Sequence, residues 1–227
     1  MKTPQELKEI HGEQYALNYD QTHPTIRLER LLPLIALNPT DDVVDFACGS
    51  GILMSYIASR VHSYTGVDFS EPFIQLAQAK QADLGITNAR FECASIQEFG
   101  QSHPGAFQVG FAMDFSEHVY DAEWVEILGG MRAALVKNGR LYLHTPNGNF
   151  FMEAMKKRNF IFKQFPDHIA VRSFEANVAI LQKAGFKITR ALTIPHYNIL
   201  RIVHPLSHIP RVGKFFAARV FIEATNP

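Results

Sequence analysis

Val43-Val44-Asp45-Phe46-Ala47-Cys48-Gly49-Ser50-Gly51 reads as a buried strand that stops at an acid and turns through glycines. Ile52-Leu53-Met54-Ser55-Tyr56-Ile57-Ala58 follows at once with a helical pattern. Strand, tight turn and helix make the first half of a βαβ unit. Gly49 and Gly51 carry no Cβ, so the backbone there can approach a ligand closely. The amides that open the helix are expected to face that ligand. Two ligand types suit such a turn. A dinucleotide asks for G-x-G-x-x-G, and the third glycine position counted from Gly49 holds Met54, whose side chain would push the helix away from the strand. A smaller nucleoside with an amino-acid tail needs the turn but no pyrophosphate cradle. Asp68 serves either, because it ends the next strand 17 residues after Gly51, close to the usual offset of about 20 for a ribose-binding acid.

Further strands are expected at 62–67, 89–93, 107–113, 140–145, 186–194 and 217–225. Between them lie helical patterns. Ser70 is a candidate N-cap ahead of Pro72, with Phe73, Leu76 and Ala77 on the apolar face and Gly85 as the stop. A helix over 123–136 ends at Asn138-Gly139, a pair suited to positive φ. Ser173 caps a helix that runs to 184. Toward the N-terminus, residues 4–19 read as a polar helix carrying Tyr15 and Tyr19, and Leu28, Leu31, Leu32 and Ile35 mark a second, amphipathic one. Alternating strands and helices predict an α/β fold with a doubly wound, mostly parallel sheet. The last strand follows an irregular connector, 195–216, and is free to enter antiparallel. The chain is read as one domain, 1–227, with N-terminal helices at 1–38 and a Phe- and Lys-rich cap insert at about 149–170.

Lys plus Arg and Asp plus Glu both number 22, so no long-range field pulls the chain to nucleic acid. Cys48 and Cys93 are isolated and suggest neither a disulfide framework nor a zinc site. The first residues lack the apolar core of a signal peptide, and no apolar run reaches membrane-spanning length. A cytoplasmic protein without an integral membrane segment is expected.

Val44-Asp45-Phe46-Ala47-Cys48-Gly49-Ser50-Gly51, Gly66-Val67-Asp68-Phe69-Ser70, Ser116-Glu117-His118-Val119, Val136-Lys137-Asn138-Gly139-Arg140-Leu141, Ala184-Gly185-Phe186 and Arg219-Val220-Phe221-Ile222-Glu223-Ala224 together resemble the class I S-adenosylmethionine-dependent methyltransferases. The resemblance spans about residues 20–227 and implies a Rossmann-like sheet of seven strands with the last antiparallel. It implies that Asp45 sits near the methionine amino group of S-adenosylmethionine and that Ala47, Cys48, Gly49 and Gly51 line its tail. Asp68 would hold the ribose and Phe69 would flank the adenine. Ala94, Ser95 and Ile96 would meet the adenine edge, and Ala112 and Met113 would lie beside the cofactor. Tyr19 is expected to close over the methionine end. Three departures stand out. Ala47 replaces a glycine, Ala94 and Ser95 replace the adenine-edge acid, and Gln108 replaces an acid at the start of the fourth strand.

The implied activity is methyl transfer from S-adenosylmethionine to a small-molecule acceptor, most simply at oxygen, leaving S-adenosylhomocysteine. The alternative is a protein that binds S-adenosylmethionine without transferring its methyl group and works as a scaffold or regulator. A hydroxyl acceptor must lose a proton, and histidine is the natural base near neutral pH. His118, His144 and His168 are the catalytic candidates, with His196 also near the same end of the sheet. Asp114, Glu117, His118 and His168 lack clear ligand spacing, so no metal is expected.

Overall fold

The computed structural model describes residues 26–157 and 168–227, without the side chain of Lys157. The predicted helix at 4–19, Tyr15, Tyr19, and Phe160, Phe162 and Phe165 of the insert lie outside the described residues. The sheet has seven strands: β1 Asp42–Phe46, β2 Ser63–Asp68, β3 Ala89–Cys93, β4 Phe107–Met113, β5 Leu135–Pro146, β6 Lys187–Ile194 and β7 Arg219–Thr225. Their order is β3-β2-β1-β4-β5-β7-β6. All pairs are parallel except those of β7, which runs antiparallel to both β5 and β6.

Helices flank the sheet: α1 Ile26–Leu31, α2 Met54–Ile57, α3 Glu71–Asp83, α4 Ile96–Ser102, α5 Asp121–Ala134, α6 Phe151–Lys157 and α7 Phe174–Lys183. Successive strand residues point to opposite faces, and both faces are covered. Val44, Phe46 and Leu143 pack with Phe99, Trp124, Leu128 and Leu181 on one side. Val43, Phe111, Tyr142 and Phe221 pack with Leu31, Met54, Ile57 and Ile74 on the other. Met54, fully buried, fills the position that a dinucleotide turn would give to glycine.

Several expectations shift. The helix after the glycine turn is one turn long, continued by a 3₁₀ segment over Ala58–Arg60. A helix dipole that short adds little, so the turn's own amides carry the ligand argument. Ser70 precedes α3 but makes no side-chain cap. The strand expected at 140 begins at Leu135, and Asn138, with φ 62°, takes the left-handed turn inside it. Helix α4 was missed, although Ser95 and Glu98 form a full capping box at its start. The connector is not irregular: Ile199–His208 and Gly213–Phe215 are 3₁₀ segments.

Candidate active site

Strands β1, β2, β4 and β5 end at one edge of the sheet, where ligands bind in folds of this type. The turn after β1 is left-handed at three residues, Ala47 (φ 55°), Gly49 (φ 52°) and Gly51 (φ 71°). A left-handed Ala costs about 1–2 kcal/mol, so the alanine that stands for glycine is held there by its surroundings. The Cys48 amide donates to Val67 O at 3.1 Å, and the Gly51 amide to Cys48 O at 3.0 Å, which closes the turn against β2. Gly66 lets that happen. A Cβ there would lie 2.5 Å from the Phe91 ring and 2.9 Å from Cys48 Sγ. Gly66→Ala is therefore expected to cost about 1–3 kcal/mol in urea unfolding and to displace the turn.

Two buried carboxyls back the turn. Asp68 Oδ2 accepts from the Gly49 amide at 3.0 Å and its Oδ1 from the Ser70 amide at 2.9 Å. Each oxygen keeps a lone pair for a further donor. Asp45 Oδ2 accepts from Tyr64 Oη at 2.7 Å. Burial pushes the Asp45 carboxyl up to about 7 and the Asp68 carboxyl up to about 6, against the pull of their hydrogen bonds. Their neutral forms are favoured by burial, and a donor-rich or cationic ligand would favour the carboxylates.

Around the turn, Phe69 is exposed, Ile96 and Ala112 are buried, and Ala94 and Met113 are half-buried. The Ser95 hydroxyl donates to Glu98 Oε2 at 2.7 Å and accepts from the Glu98 amide at 3.2 Å, so it is committed to the helix cap first. Gln108 lies at the opposite end of its strand. Its side chain accepts from the Asp42 amide at 2.7 Å and has no bearing on the ligand edge.

At the end of β4 the chain again turns left-handed, at Asp114 (φ 54°). Arg27 Nη1 reaches Asp114 Oδ2 at 2.7 Å, Arg219 Nη2 bonds Oδ1, and His144 Nδ1 lies 3.0 Å from Oδ1. Burial would raise the Asp114 carboxyl, but Arg219, His144 and Arg27 outweigh it and hold the group well below the usual carboxylate range. His144 Nε2 accepts from Arg219 Nε at 3.3 Å. Burial lowers its pKa, and the ring is 1% exposed. Buried between Asp114 and Arg219, His144 is placed to pack against both groups. Sequence reading missed Arg27 and the role of Arg219. No local signal joins residues 27, 114, 144 and 219.

His118 and His168 do meet. Their rings stand edge to face, 5.0 Å between centroids. The Ala170 amide donates to Glu117 O at 2.9 Å and pins the strand of chain that carries His168. Arg172 fixes the other side, donating to Ser116 O at 2.5 Å and Val119 O at 2.6 Å. The Glu117 side chain is buried, accepts from Thr145 Oγ1 at 2.9 Å, and is raised in pKa by that burial. Glu117, His118 and His168 each offer a ligand atom, all within 4.8 Å of one another. Asp114 stays with its arginines. The trio suits a base beside a carboxyl, and its donors are of a type that holds a divalent ion.

His196 covers the same edge. It stacks on Phe150 at 6.3 Å between centroids, and burial, then Arg219 and Lys156, lower its pKa to about 4.

Residues 43–139 match the family model described as a methyltransferase domain. The ubiquinone biosynthesis O-methyltransferase of Thiobacillus denitrificans is 26% identical over 183 residues, which cover 78% of this chain and 77% of that protein. Two solved structures share the fold. The [4+2]-cyclase SpnF superposes with TM-score 0.67 at 17% identity, over 89% of this chain and 80% of that one. A geranyl diphosphate methyltransferase, solved with GPP and sinefungin, superposes with TM-score 0.65 at 16% identity, over 89% and 78%. Sheet order, glycine turn and relatives together give this chain the Rossmann-like fold of the methyltransferases and a likeness in sequence to their domain over residues 43–139.

Proposed function

We propose that the chain methylates a hydroxyl oxygen of a small, ring-bearing acceptor of the phenol or quinol class. The observation that carries oxygen as the target is the pair His118 and His168, held edge to face at the ligand edge of the sheet. The name of the Thiobacillus relative points the same way.

The residues present fit S-adenosylmethionine. The turn leaves space at Gly49, where a Cβ would meet only the Phe73 ring at 3.9 Å. Asp45 is proposed to pair with the ligand's ammonium, Ala47 to Gly51 to line its tail, and Asp68 to accept the ribose hydroxyls. Phe69, Ala94, Ser95 and Ile96 are proposed to surround the adenine, with Ala112 and Met113 along the ligand. The bound cofactor supplies an electrophilic methyl on a sulfonium sulfur. The chain's own part is positioning: it aligns the acceptor oxygen with that methyl, excludes water, and takes the hydroxyl proton on an imidazole.

Asp45 and Asp68 give this reading a pH signature. Their folded-state pKa values, about 7 and about 6, lie above the ordinary 3.8. In the ligand-free chain their contribution to stability is therefore full below the ordinary value and lost as pH rises through 6 and 7. A ligand that offers an ammonium and ribose hydroxyls favours the carboxylates, so binding releases protons. Calorimetry with S-adenosylhomocysteine is expected to show affinity rising on the order of 100-fold from pH 5.5 to pH 8, then levelling. The transfer itself is checked by mass spectrometry of a panel of phenols, catechols, sugars and amines incubated with S-adenosylmethionine. A methyl ether on a ring oxygen supports the proposal. Cofactor binding with no methylated product supports the non-transferring alternative.

A further inference from the structure

The connector between β6 and β7 is folded the wrong way round for a piece of core. None of the ten residues in its first 3₁₀ segment, Ile199–His208, is buried. Ile199 is 77% exposed and Ile202 71%, and Leu206, Ile209, Val212 and Phe215 are exposed as well. These six make up most of the nine large exposed hydrophobics among the described residues. Their spacing is regular. A 3₁₀ helix has three residues per turn, so side chains three apart eclipse. Ile199 and Ile202 form one such row within the segment, and Leu206, Ile209, Val212 and Phe215 follow at three-residue steps of sequence that run on past its end at His208. Exposed apolar side chains gathered in one stretch of chain mark an interaction site.

The fold holds the rows outward. Asn198 Oδ1 caps the Leu200 amide at 2.9 Å, and the Gly213 amide donates to Ile209 O at 2.8 Å. Tyr197, at the root of the connector, lies under Arg219 at 5.4 Å.

Charge selects the occupant. From residue 176 to residue 222 the sequence has no Asp or Glu. Arg201, Arg211 and Lys214 are exposed on the connector itself, and Lys214 Nζ sits 5.5 Å from the Phe215 ring centre. A second copy of this face would bring like charges together with no acid to meet them. An anionic lipid surface matches both features, taking the apolar side chains below its headgroups and the cations among them.

We propose that residues 199–215 dock the protein on an anionic membrane surface. The connector leaves β6 at Ile194 and re-enters β7 at Arg219, and those two residues pair with each other. Arg219 also pairs with Pro146, the last residue of β5, and bonds Asp114. The docking face thus hangs from the edge that carries the candidate active site, and a lipophilic acceptor would enter from the bilayer side. The docking itself does not depend on the acceptor proposed above.

The test is sedimentation of the full chain with vesicles of phosphatidylcholine alone or mixed with phosphatidylglycerol. The wild type is expected to pellet with the mixed vesicles, at least tenfold more than with the neutral ones, and to release as salt rises. Ile199→Asn with Ile202→Asn is expected to weaken binding about tenfold or more. Arg201→Gln with Arg211→Gln and Lys214→Gln is expected to weaken it by roughly fivefold per charge. Melting temperature and S-adenosylhomocysteine affinity, unchanged in both variants, show that the fold is intact. No binding to mixed vesicles overturns the proposal. Binding that both variants retain also overturns it. So does light scattering that shows a dimer dispersed by the Ile variant without vesicle binding, which would give the face to a second copy.

Discussion

Replacing His168 with Ala is expected to lower kcat about 10²–10³-fold while leaving S-adenosylhomocysteine affinity unchanged. The ring lies 5.0 Å from that of His118, on a segment tied to Glu117 O through the Ala170 amide. His118→Ala should fall in the same range, and the double variant should lose much less than the product of the two, since the rings work as one unit. If the pair takes the acceptor's proton directly, the pH–rate profile loses its acidic limb in the variants, and chelators leave the wild type active. If Glu117, His118 and His168 instead hold a divalent ion, chelation alone abolishes turnover and added metal restores it. Either result keeps the histidines in the chemistry. Full kcat in both single variants would remove them from it.

The second large effect is on stability. Asp114→Ala is expected to cost about 3–5 kcal/mol in urea unfolding. Arg27 and Arg219 are 10% and 9% exposed at the side chain, and His144 2%. Without the carboxylate, two buried guanidiniums lose the negative charge they share. Asp114→Asn should cost less, because Asn tolerates the left-handed backbone there and still accepts one hydrogen bond. The sign with pH is opposite to that of Asp45 and Asp68. The Asp114 pKa is depressed by its cations against the effect of burial, so its contribution is present above the ordinary carboxylate range and is lost only as pH falls through the folded value. The stability gap between wild type and Asp114→Asn should therefore shrink in acid.

What the sequence revealed was whatever is written locally. The turn Ala47 to Gly51, Asp68 at the end of β2, Ser173 as a true cap and Asn138 at positive φ each follow from residue type and immediate neighbours. The antiparallel last strand is allowed by the connector and implied by the family resemblance, and the pairing of β7 with β5 and β6 shows it. The boundary of β5 was hidden because Leu135 and Val136 continue the apolar face of α5 until pairing with Phe107 claims them for the sheet. Helix α4, only seven residues long, is legible in its Ser95-x-x-Glu98 capping box. The Asp114 cluster was not legible at all. Its partners come from residues 27, 144 and 219, and only the sheet order brings them together. Gln108, a departure from the family pattern, stands by the register of β1 on β4 at the end of the strand away from the ligand edge.

The account stands most directly on Asp68. Its carboxyl is proposed to accept the ribose hydroxyls while it braces the glycine turn. Titration of S-adenosylhomocysteine into the wild type and Asp68→Asn, at pH 8, tests this in one measurement. The expected result is saturable binding to the wild type, weakened about 10–100-fold in the variant, the worth of a lost charged hydrogen bond, with its melting temperature little changed. Binding of equal strength in the two proteins, or none to the wild type, would contradict it.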